Sequence, residues 1–380
     1  MKVLIVHPYS FAKYKGGVER YCKNLEKGLS LHVEISQLNG HYFKLFGEPI
    51  PTIKNFQIIK EKKPDILHLQ GPRPFATIVG IFGKILGKRT VLTYHSYLNP
   101  KNYLRRAVAV LDRLISKYIF DFLIVTSEEY RKKVRQFFPE NKIKIIPLLI
   151  EEHFFKYSRS KEECRKELLI GQEKVALFVG KLDRHHYFKG LDVLIKAAKL
   201  LLGGINPIRS KSPKATASSE AGTSNGVKII IAGDGDKRRE CEQMVLKLAL
   251  EEKVKFVGEI SSDEILMRYY RASDVLVLPS TSDTESFGFV LLEAMAGGLP
   301  IITTNVVGSA SLIGAKKAGI IIPPNNPEAL ANAIQKLLEE KPLYQRLQEN
   351  GKKFAEEFRI QKNINKFLEV YKCAAEKTRY

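Results

Sequence analysis

At 380 residues, with 44% hydrophobic and 27% charged side chains, the chain is long enough for two cores and has the make-up of a soluble globular protein, which sets aside fibrous and disordered classes. The formal net charge of +21 is lopsided, since residues 1–150 hold 26 Lys and Arg against 11 Asp and Glu, and this suggests an anionic partner such as a membrane surface, a phosphorylated acceptor or nucleic acid. Cys22, Cys164, Cys241 and Cys373 have no CxxC or CxxH spacing, which argues against a disulfide framework or zinc site and for reduced cytosolic thiols.

The chain opens with MKVLIVHP, which reads as a first buried strand rather than a signal peptide. No run of about eighteen apolar residues follows that would span a membrane. Short, continuous, β-branched runs at 3–6, 33–38, 66–69, 91–94, 122–126 and 143–146 predict strands buried on both faces. Amphipathic stretches at about 17–29, 52–62, 74–88, 102–120 and 128–138 predict the helices between them. Such alternation implies a parallel, doubly wound sheet. In the helix at 102–120, the stripe of Leu104, Val108, Leu111, Ile115 and Ile119 is expected to face the sheet. Arg105, Arg106, Arg113 and Lys117 would then form a solvated basic face.

Residues 147–173 break the rhythm and read as the interdomain connection, with one helical piece at 161–169. The pattern restarts with strands at 175–179, 228–232, 254–257, 275–278, 301–303 and 320–322. Helices are predicted at about 190–202, 236–250, 262–271, 287–297 and 327–339, and the tail reads as two more with a break near Arg359. Residues 203–226 are rich in Ser, Gly, Pro, Ala and Thr and read as a disordered insertion inside the second domain.

In open parallel sheets, ligands bind beyond the carboxyl ends of the strands, so polar residues there carry the functional argument. Gly16 and Gly17 open the first helix, where close backbone approach and free N–H groups suit an anion, although a tight turn explains them equally. His95 stands just past the strand at 91–94. Lys181, Arg184 and Lys189 lie on the loop after the strand at 175–179, flanked by Gly180 and Gly190, and suit a pyrophosphate. His185 and His186 lack a carboxylate partner at ligand spacing, so no metal is expected. Glu285 follows the strand at 275–278 and precedes Ser286, Phe287 and Gly288, at a helix start whose dipole would favour its charge. Glu293 lies two turns further on among apolar residues and needs a partner, either the vicinal hydroxyls of a ribose or a buried Lys or Arg.

The segment ESFGFVLLEAMAGGLP, with Glu285 and Glu293 eight apart, resembles the E-x7-E motif of the retaining GT-B glycosyltransferases, in particular the family-4 group. PDILHLQGPRP, VLTYHSY, GKLDRHHYFKG, IIIAGDGD, ASDVLVLPS and GIIIPPNNPEAL occur in that family's order, so the likeness covers nearly the whole chain. It implies an α/β, GT-B architecture of two facing Rossmann-like domains with parallel sheets. The first domain would span 1–155, with a C-terminal helix at about 360–380 packing back on it. The second, nucleotide-sugar-binding domain would span 156–359.

The resemblance also implies roles. Glu285 would contact donor-sugar hydroxyls, with Ser286, Phe287 and Gly288 beside it, and Glu293 would bind the nucleotide ribose. Lys189 would hold the pyrophosphate, helped by the amides at Gly16 and Gly17, and His95 would contact the donor sugar. His95, Lys189 and Glu285 would thus carry catalysis. The family usually has Arg at Lys181, and Arg184 is the candidate substitute. The Asn-Gly-Val/Ile-Asp turn that often ends the family's first domain is replaced by Leu148, Leu149, Ile150 and Glu151. The Pro and acidic residue usual near Gly308 are also missing.

The implied activity is metal-independent, retaining hexosyl transfer from a UDP- or GDP-sugar to a glycan or lipid-linked acceptor, with no cofactor. The implied place is the cytoplasm, with an anionic membrane surface as a candidate partner and no nucleic acid. A GT-B sugar-nucleotide epimerase and an inactive GT-B-like binding protein are the alternatives. A nicotinamide dehydrogenase is set aside by the lack of GxGxxG after the first strand.

Overall fold

The computed structural model describes residues 1–9, 16–45, 48–71, 74–95, 103–202 and 226–376, with only the backbone for residues 104, 105 and 202. The chain forms two compact units, residues 1–152 with 357–380 and residues 153–356.

In chain order the first unit runs β1 (Lys2–His7), α1 (Gly17–Leu29), β2 (Glu34–Asn39), β3 (Tyr42–Leu45), β4 (Glu48–Pro51), α2 (Ile53–Lys62) and β5 (Ile66–Gly71). It continues with α3 (Pro74–Ile85), β6 (Arg89–Tyr94), α4 (Tyr103–Ile119), β7 (Phe122–Val125), α5 (Glu128–Val134) and β8 (Ile143–Ile145). The second unit runs α6 (Lys161–Glu167), β9 (Val175–Val179), α7 (Leu191–Leu202), β10 (Lys228–Ala232), α8 (Arg238–Lys247), β11 (Val254–Gly258), α9 (Asp263–Ala272) and β12 (Val275–Leu278). Then come α10 (Phe289–Ala296), β13 (Ile301–Thr304), α11 (Ala310–Ala315), β14 (Ile320–Ile322), α12 (Pro327–Glu339) and α13 (Lys341–Ala355), before α14 (Ile360–Glu376) rejoins the first unit.

The first sheet has the order β2-β1-β5-β6-β7-β8 and the second β11-β10-β9-β12-β13-β14, with every pair inside them parallel. Each therefore reverses direction once, between β1 and β5 and between β9 and β12. These switch points leave a crevice at the carboxyl ends of the strands.

Alternation along the first sheet separates two layers. Leu4, Val6, Leu67, Leu69, Leu92, Leu123 and Val125 pack against Phe75, Val79, Ile119, Tyr130 and Val134 of the helices between strands. On the other face His68 and Thr93 meet Tyr21 of α1 and Tyr371 of α14.

The antiparallel hairpin β3–β4 and the short helix α11 were not foreseen. Residues 203–225 of the expected insertion lie outside the described residues.

The orientation expected for α4 is corrected. Its inward side carries buried Asp112, Ser116 and Ile119, with Asp112 taking a hydrogen bond from Thr77 of α3. Leu111, from the stripe expected to face the sheet, is 57% exposed, and Val108 is exposed too. The helix leans on α3, where Gly80 receives Ile119, so a polar contact between helices sets its rotation.

Candidate active site

The second unit builds its site from the loops after β9 and β12, the two strands at its switch point. After β9, residues Arg184–Lys189 form a 3-10 turn capped by Asp183, which accepts from the amides of His185 and His186 at 2.9 and 3.0 Å. His186 Nδ1 also lies 2.7 Å from Asp183 Oδ1, so both histidine positions are held in local capping. Gly190 ends the turn with φ 72°, and a Cβ there would strike the Pro279 carbonyl. Only glycine allows so close an approach at this backbone angle. The loops are joined where Thr281 N donates to Phe188 O at 2.7 Å.

This junction brings Lys189 Nζ to 2.5 Å from Glu285 Oε2, with both side chains mostly buried. The Glu285 carbonyl accepts from Gly308 N at 3.0 Å, and Ser309 Oγ donates to Phe287 O at 2.6 Å. Residues after β13 thereby clamp the segment Glu285, Ser286, Phe287 and Gly288. Phe287 is buried, and Gly288 caps α10 with φ 80°. Because α10 begins only at Phe289, Glu285 lies outside the helix, and Lys189 rather than the helix dipole neutralises it. The helix starts two residues later than the expected 287, and Glu285 stands before it, as expected.

Glu293 sits on the inner side of α10, 1% exposed, and accepts from Tyr270 OH at 2.9 Å. Lys189 and Glu285 are thus gathered, with Glu293 deeper on the same loop-helix unit. Arg184 is directed elsewhere, with Nε 3.0 Å from Asp236 Oδ2 and a side chain 77% exposed. Lys181 is half-buried at the mouth of the β9 loop. Among the described residues, no group of three His, Cys, Asp or Glu side chains is gathered as metal ligands are.

In the first unit, Gly16 is the N-cap of α1 and makes no side-chain cap bond, and Gly17 is the first helical residue. Glu19 fills the first turn, 8% exposed, 3.9 Å from His7 Nε2. His95 follows β6 and is buried. Its Nε2 lies 2.7 Å from Gln70 Oε1, so the ring donates there and keeps Nδ1 as an acceptor. The Tyr21 ring stands edge-on to it at 4.8 Å between centroids. Behind Tyr21, a chain of hydrogen bonds runs through Thr93 and His68 to Tyr371 of α14, at 3.2, 2.7 and 2.6 Å.

Burial pushes both His68 and His95 down to about 3, with His7 and His68 adding to the effect on His95. These rings are neutral at pH 7. The unfolded chain binds protons below its ordinary value of 6.5 while the folded chain does not. This contribution to stability is therefore present above pH 6.5 and is lost as pH falls towards 3. Hydrogen exchange in β5 and β6, corrected for intrinsic rates, should quicken steeply from pH 6.5 downwards. A flat corrected profile would contradict the assignment.

Gln70 and Tyr270 were not singled out from sequence. Gln70 gives a faint signal as the polar end of the strand ILHLQG. Tyr270 gives none, because it reaches Glu293 from a different helix.

Two doubly wound α/β units, one with a cation and two carboxylates past its strand ends, define a protein class that binds its ligand at the switch point. The sequence profile described as Glycosyl transferases group 1 matches residues 160–354, and Glycosyltransferase Family 4 matches residues 32–153. The chain belongs to the group 1 glycosyltransferase family, and its two parallel-sheet units are those of the GT-B fold.

It is 32% identical over 269 residues to an uncharacterized glycosyltransferase of Methanocaldococcus jannaschii, a match covering 69% of this chain and 62% of that one. It is 26% identical over 345 residues to O-antigen chain mannosyltransferase C of Escherichia coli, covering 88% and 82%. Among solved structures, sucrose-phosphate synthase of Thermosynechococcus elongatus superimposes with a TM-score of 0.76 at 21% identity, covering 99% of this chain and 100% of that one. The HepE protein of Anabaena, in complex with UDP-glucose, superimposes with a TM-score of 0.77 at 20% identity, covering 98% and 100%.

Proposed function

We propose that the chain transfers a hexosyl group, with retention, from a UDP- or GDP-sugar to a lipid-linked acceptor at an anionic membrane. The observation that carries the transfer is the Lys189–Glu285 pair at the β9/β12 switch point, with Glu293 beyond it. Family membership and the likeness to a protein crystallised with UDP-glucose support the donor class. In this reading Glu293 takes the ribose hydroxyls and Glu285 a sugar hydroxyl. Neutral His95 offers Nδ1 to the sugar.

The bond between the anomeric carbon and the β-phosphate oxygen breaks, and the acceptor oxygen bonds to the same face of the sugar. The acceptor proton passes to the leaving phosphate oxygen. Lys189 and Lys181 take up the leaving charge, a role that preorganised donors fill without a metal. Transfer from UDP- or GDP-hexose to a lipid extract should proceed at full rate in EDTA. Loss of turnover on chelation, restored by manganese, would overturn the metal-free assignment.

The membrane part rests on α4. Tyr103, Ala107, Val110, Leu111, Leu114 and Tyr118 form an exposed stripe about 100° wide at the helical period. Leu114 is 51% exposed and Tyr118 78%. Arg106, Arg113 and Lys117 run alongside, and Lys132 and Lys133 of α5, with Arg135 just after it, add exposed charge nearby in sequence. Arg131 is excluded from this set because it pairs with Glu140 at 2.6 Å. An apolar stripe beside a basic one suits a headgroup boundary. Among the described residues no helix is long and apolar enough to cross a membrane.

In co-sedimentation, binding should rise with anionic lipid and fall with salt. Changing Lys132, Lys133 and Arg135 to Ser should cost about 1 kcal/mol per charge. Leu111→Ser with Leu114→Ser should weaken it without lowering the melting temperature, and equal partition to neutral and anionic vesicles would overturn the docking.

A further inference from the structure

The second unit has a cavity of about 540 Å³ at the opposite end of its sheet from Lys189 and Glu285. Its wall includes Lys174, just before β9, Asp274, just before β12, and Gly297 to Leu299, between α10 and β13. These are the amino ends of the strands, so the cavity is separate from the donor site.

Its chemistry is one-sided. Asp274 is the carboxylate in its wall, and that carboxylate is already engaged. Oδ1 accepts from Lys161 Nζ at 2.7 Å, while Oδ2 accepts from Arg165 and from the Val175 amide, both at 2.8 Å. A role in anchoring Asp274 accounts for Lys161 and Arg165. It does not account for Lys341, which also lines the cavity and forms no ion pair among the described residues, or for the charge of Arg271, whose Nε donates to Arg159 O at 3.0 Å. Nor does it fully use Lys174, 3.5 Å from Asp274 and over half exposed.

The cations crowd one carboxylate. Lys161 is pushed below the ordinary lysine value, first by burial and then by Arg165 and Lys174, against the pull of Asp274. An added anion would relieve this crowding. Burial pushes the Tyr344 hydroxyl on the cavity wall up to about 12, so at neutral pH it is a donor. Lys341, the first residue of α13, adds its ammonium to the same wall. The volume is that of a small-molecule pocket.

The cavity also touches the candidate nucleotide site from behind. Tyr270 lines it, and its hydroxyl donates to Glu293. Gly297, on the wall, donates its amide to the Glu293 carbonyl at 3.0 Å. Helix α10 thus runs from the donor-site loop at Gly288 to the cavity at Gly297.

We propose that this cavity is a second ligand site, for a phosphate-bearing small molecule, and that its occupancy is transmitted to Glu293 through Tyr270. The transmission rests on the reading of Glu293 as a ribose ligand; the site itself does not. Linkage makes the effect reciprocal, so a bound phosphate changes nucleotide affinity and nucleotide changes phosphate affinity by the same factor.

Calorimetry with inorganic phosphate, and with glucose 1-phosphate in parallel, tests the site. Binding should survive Lys189→Ala and weaken about tenfold or more in Lys174→Ser with Lys341→Ser, two surface changes whose folding is checked by melting. Tighter binding of glucose 1-phosphate would identify a phosphosugar, and equal binding phosphate alone. Binding that vanishes in Lys189→Ala but not in the double variant would overturn the site, because the phosphate then lies with the donor loop. Absence of binding would overturn it too.

The link is read from UDP and GDP titrations with and without saturating phosphate. The dissociation constant of whichever nucleotide binds should shift about fivefold in the wild type and hold constant in Tyr270→Phe. No shift in the wild type would overturn the link. Failure of both nucleotides to bind would count against the transferase reading, while the phosphate titrations would still decide the site.

Discussion

Glu285→Gln should lower kcat about a hundredfold or more while leaving a nucleoside diphosphate bound at least as tightly as in the wild type. The two halves of this expectation come from one ion pair. Lys189 is held by Glu285 at 2.5 Å, in a place where both side chains are mostly shielded from water. Removing the charge at residue 285 leaves that ammonium without its carboxylate but still aimed at the switch-point crevice. A pyrophosphate then meets a more available cation, so binding of the plain nucleotide holds or improves. The sugar, in contrast, loses the carboxylate proposed to position its hydroxyls, and the rate falls.

Lys189→Ala should behave inversely. It removes a charge-assisted contact worth about 1.5–3 kcal/mol and weakens the nucleoside diphosphate itself. Calorimetry with UDP and GDP on both variants, alongside single-turnover transfer rates, separates the effects. Loss of nucleotide affinity in Glu285→Gln with full affinity in Lys189→Ala would reverse the two roles.

Much of the architecture was legible because strands buried on both faces have an unmistakable pattern. Runs such as VALFV at β9 and VLVL at β12 are continuous, short and β-branched. The hairpin β3–β4 was missed for the opposite reason. Tyr42–Leu45 is almost wholly exposed and so shows no burial pattern, while Glu48–Pro51 contains two prolines, which argue against strand. Helix α4 was found but turned the wrong way, because it carries apolar residues on more than one side. Periodicity cannot decide between two apolar stripes when the buried face is set by the contact of Thr77 with Asp112.

The site shows the same division. Lys189 and Glu285 were visible as charged residues in loops at strand ends, and Glu293 as a charge in an otherwise apolar helix. The pairing of Arg184 with Asp236 was not visible, since the two are 52 positions apart on different loops. The same is true of Gln70 with His95 and Tyr270 with Glu293, which are tertiary contacts with no local signature.

Glu293→Ala should weaken UDP or GDP binding about 10- to 100-fold, the loss of hydrogen bonds between a buried carboxylate and two ribose hydroxyls at about 1.5–3 kcal/mol. The same change also removes the acceptor of the Tyr270 hydroxyl, which is itself buried, so a loss of stability could be mistaken for a loss of ligand. Tyr270→Phe separates the two. It deletes the donor to Glu293 Oε2 and leaves the carboxylate in place, so the melting temperature should fall while the ribose contact remains. Leaving a buried polar group without one of its partners costs about 1–3 kcal/mol, and the cost is larger for a charge. Ribose hydroxyls can repay part of that cost on binding, so nucleotide affinity in Tyr270→Phe should be equal to or tighter than in the wild type. Glu293→Gln completes the set, because its amide oxygen still accepts from Tyr270. It should melt close to the wild type yet bind nucleotide more weakly, having lost the charge that strengthens bonds to hydroxyls. If affinity instead followed melting temperature across all three variants, Glu293 would be a structural carboxylate and the ribose would have to be held elsewhere on the β9 and β12 loops.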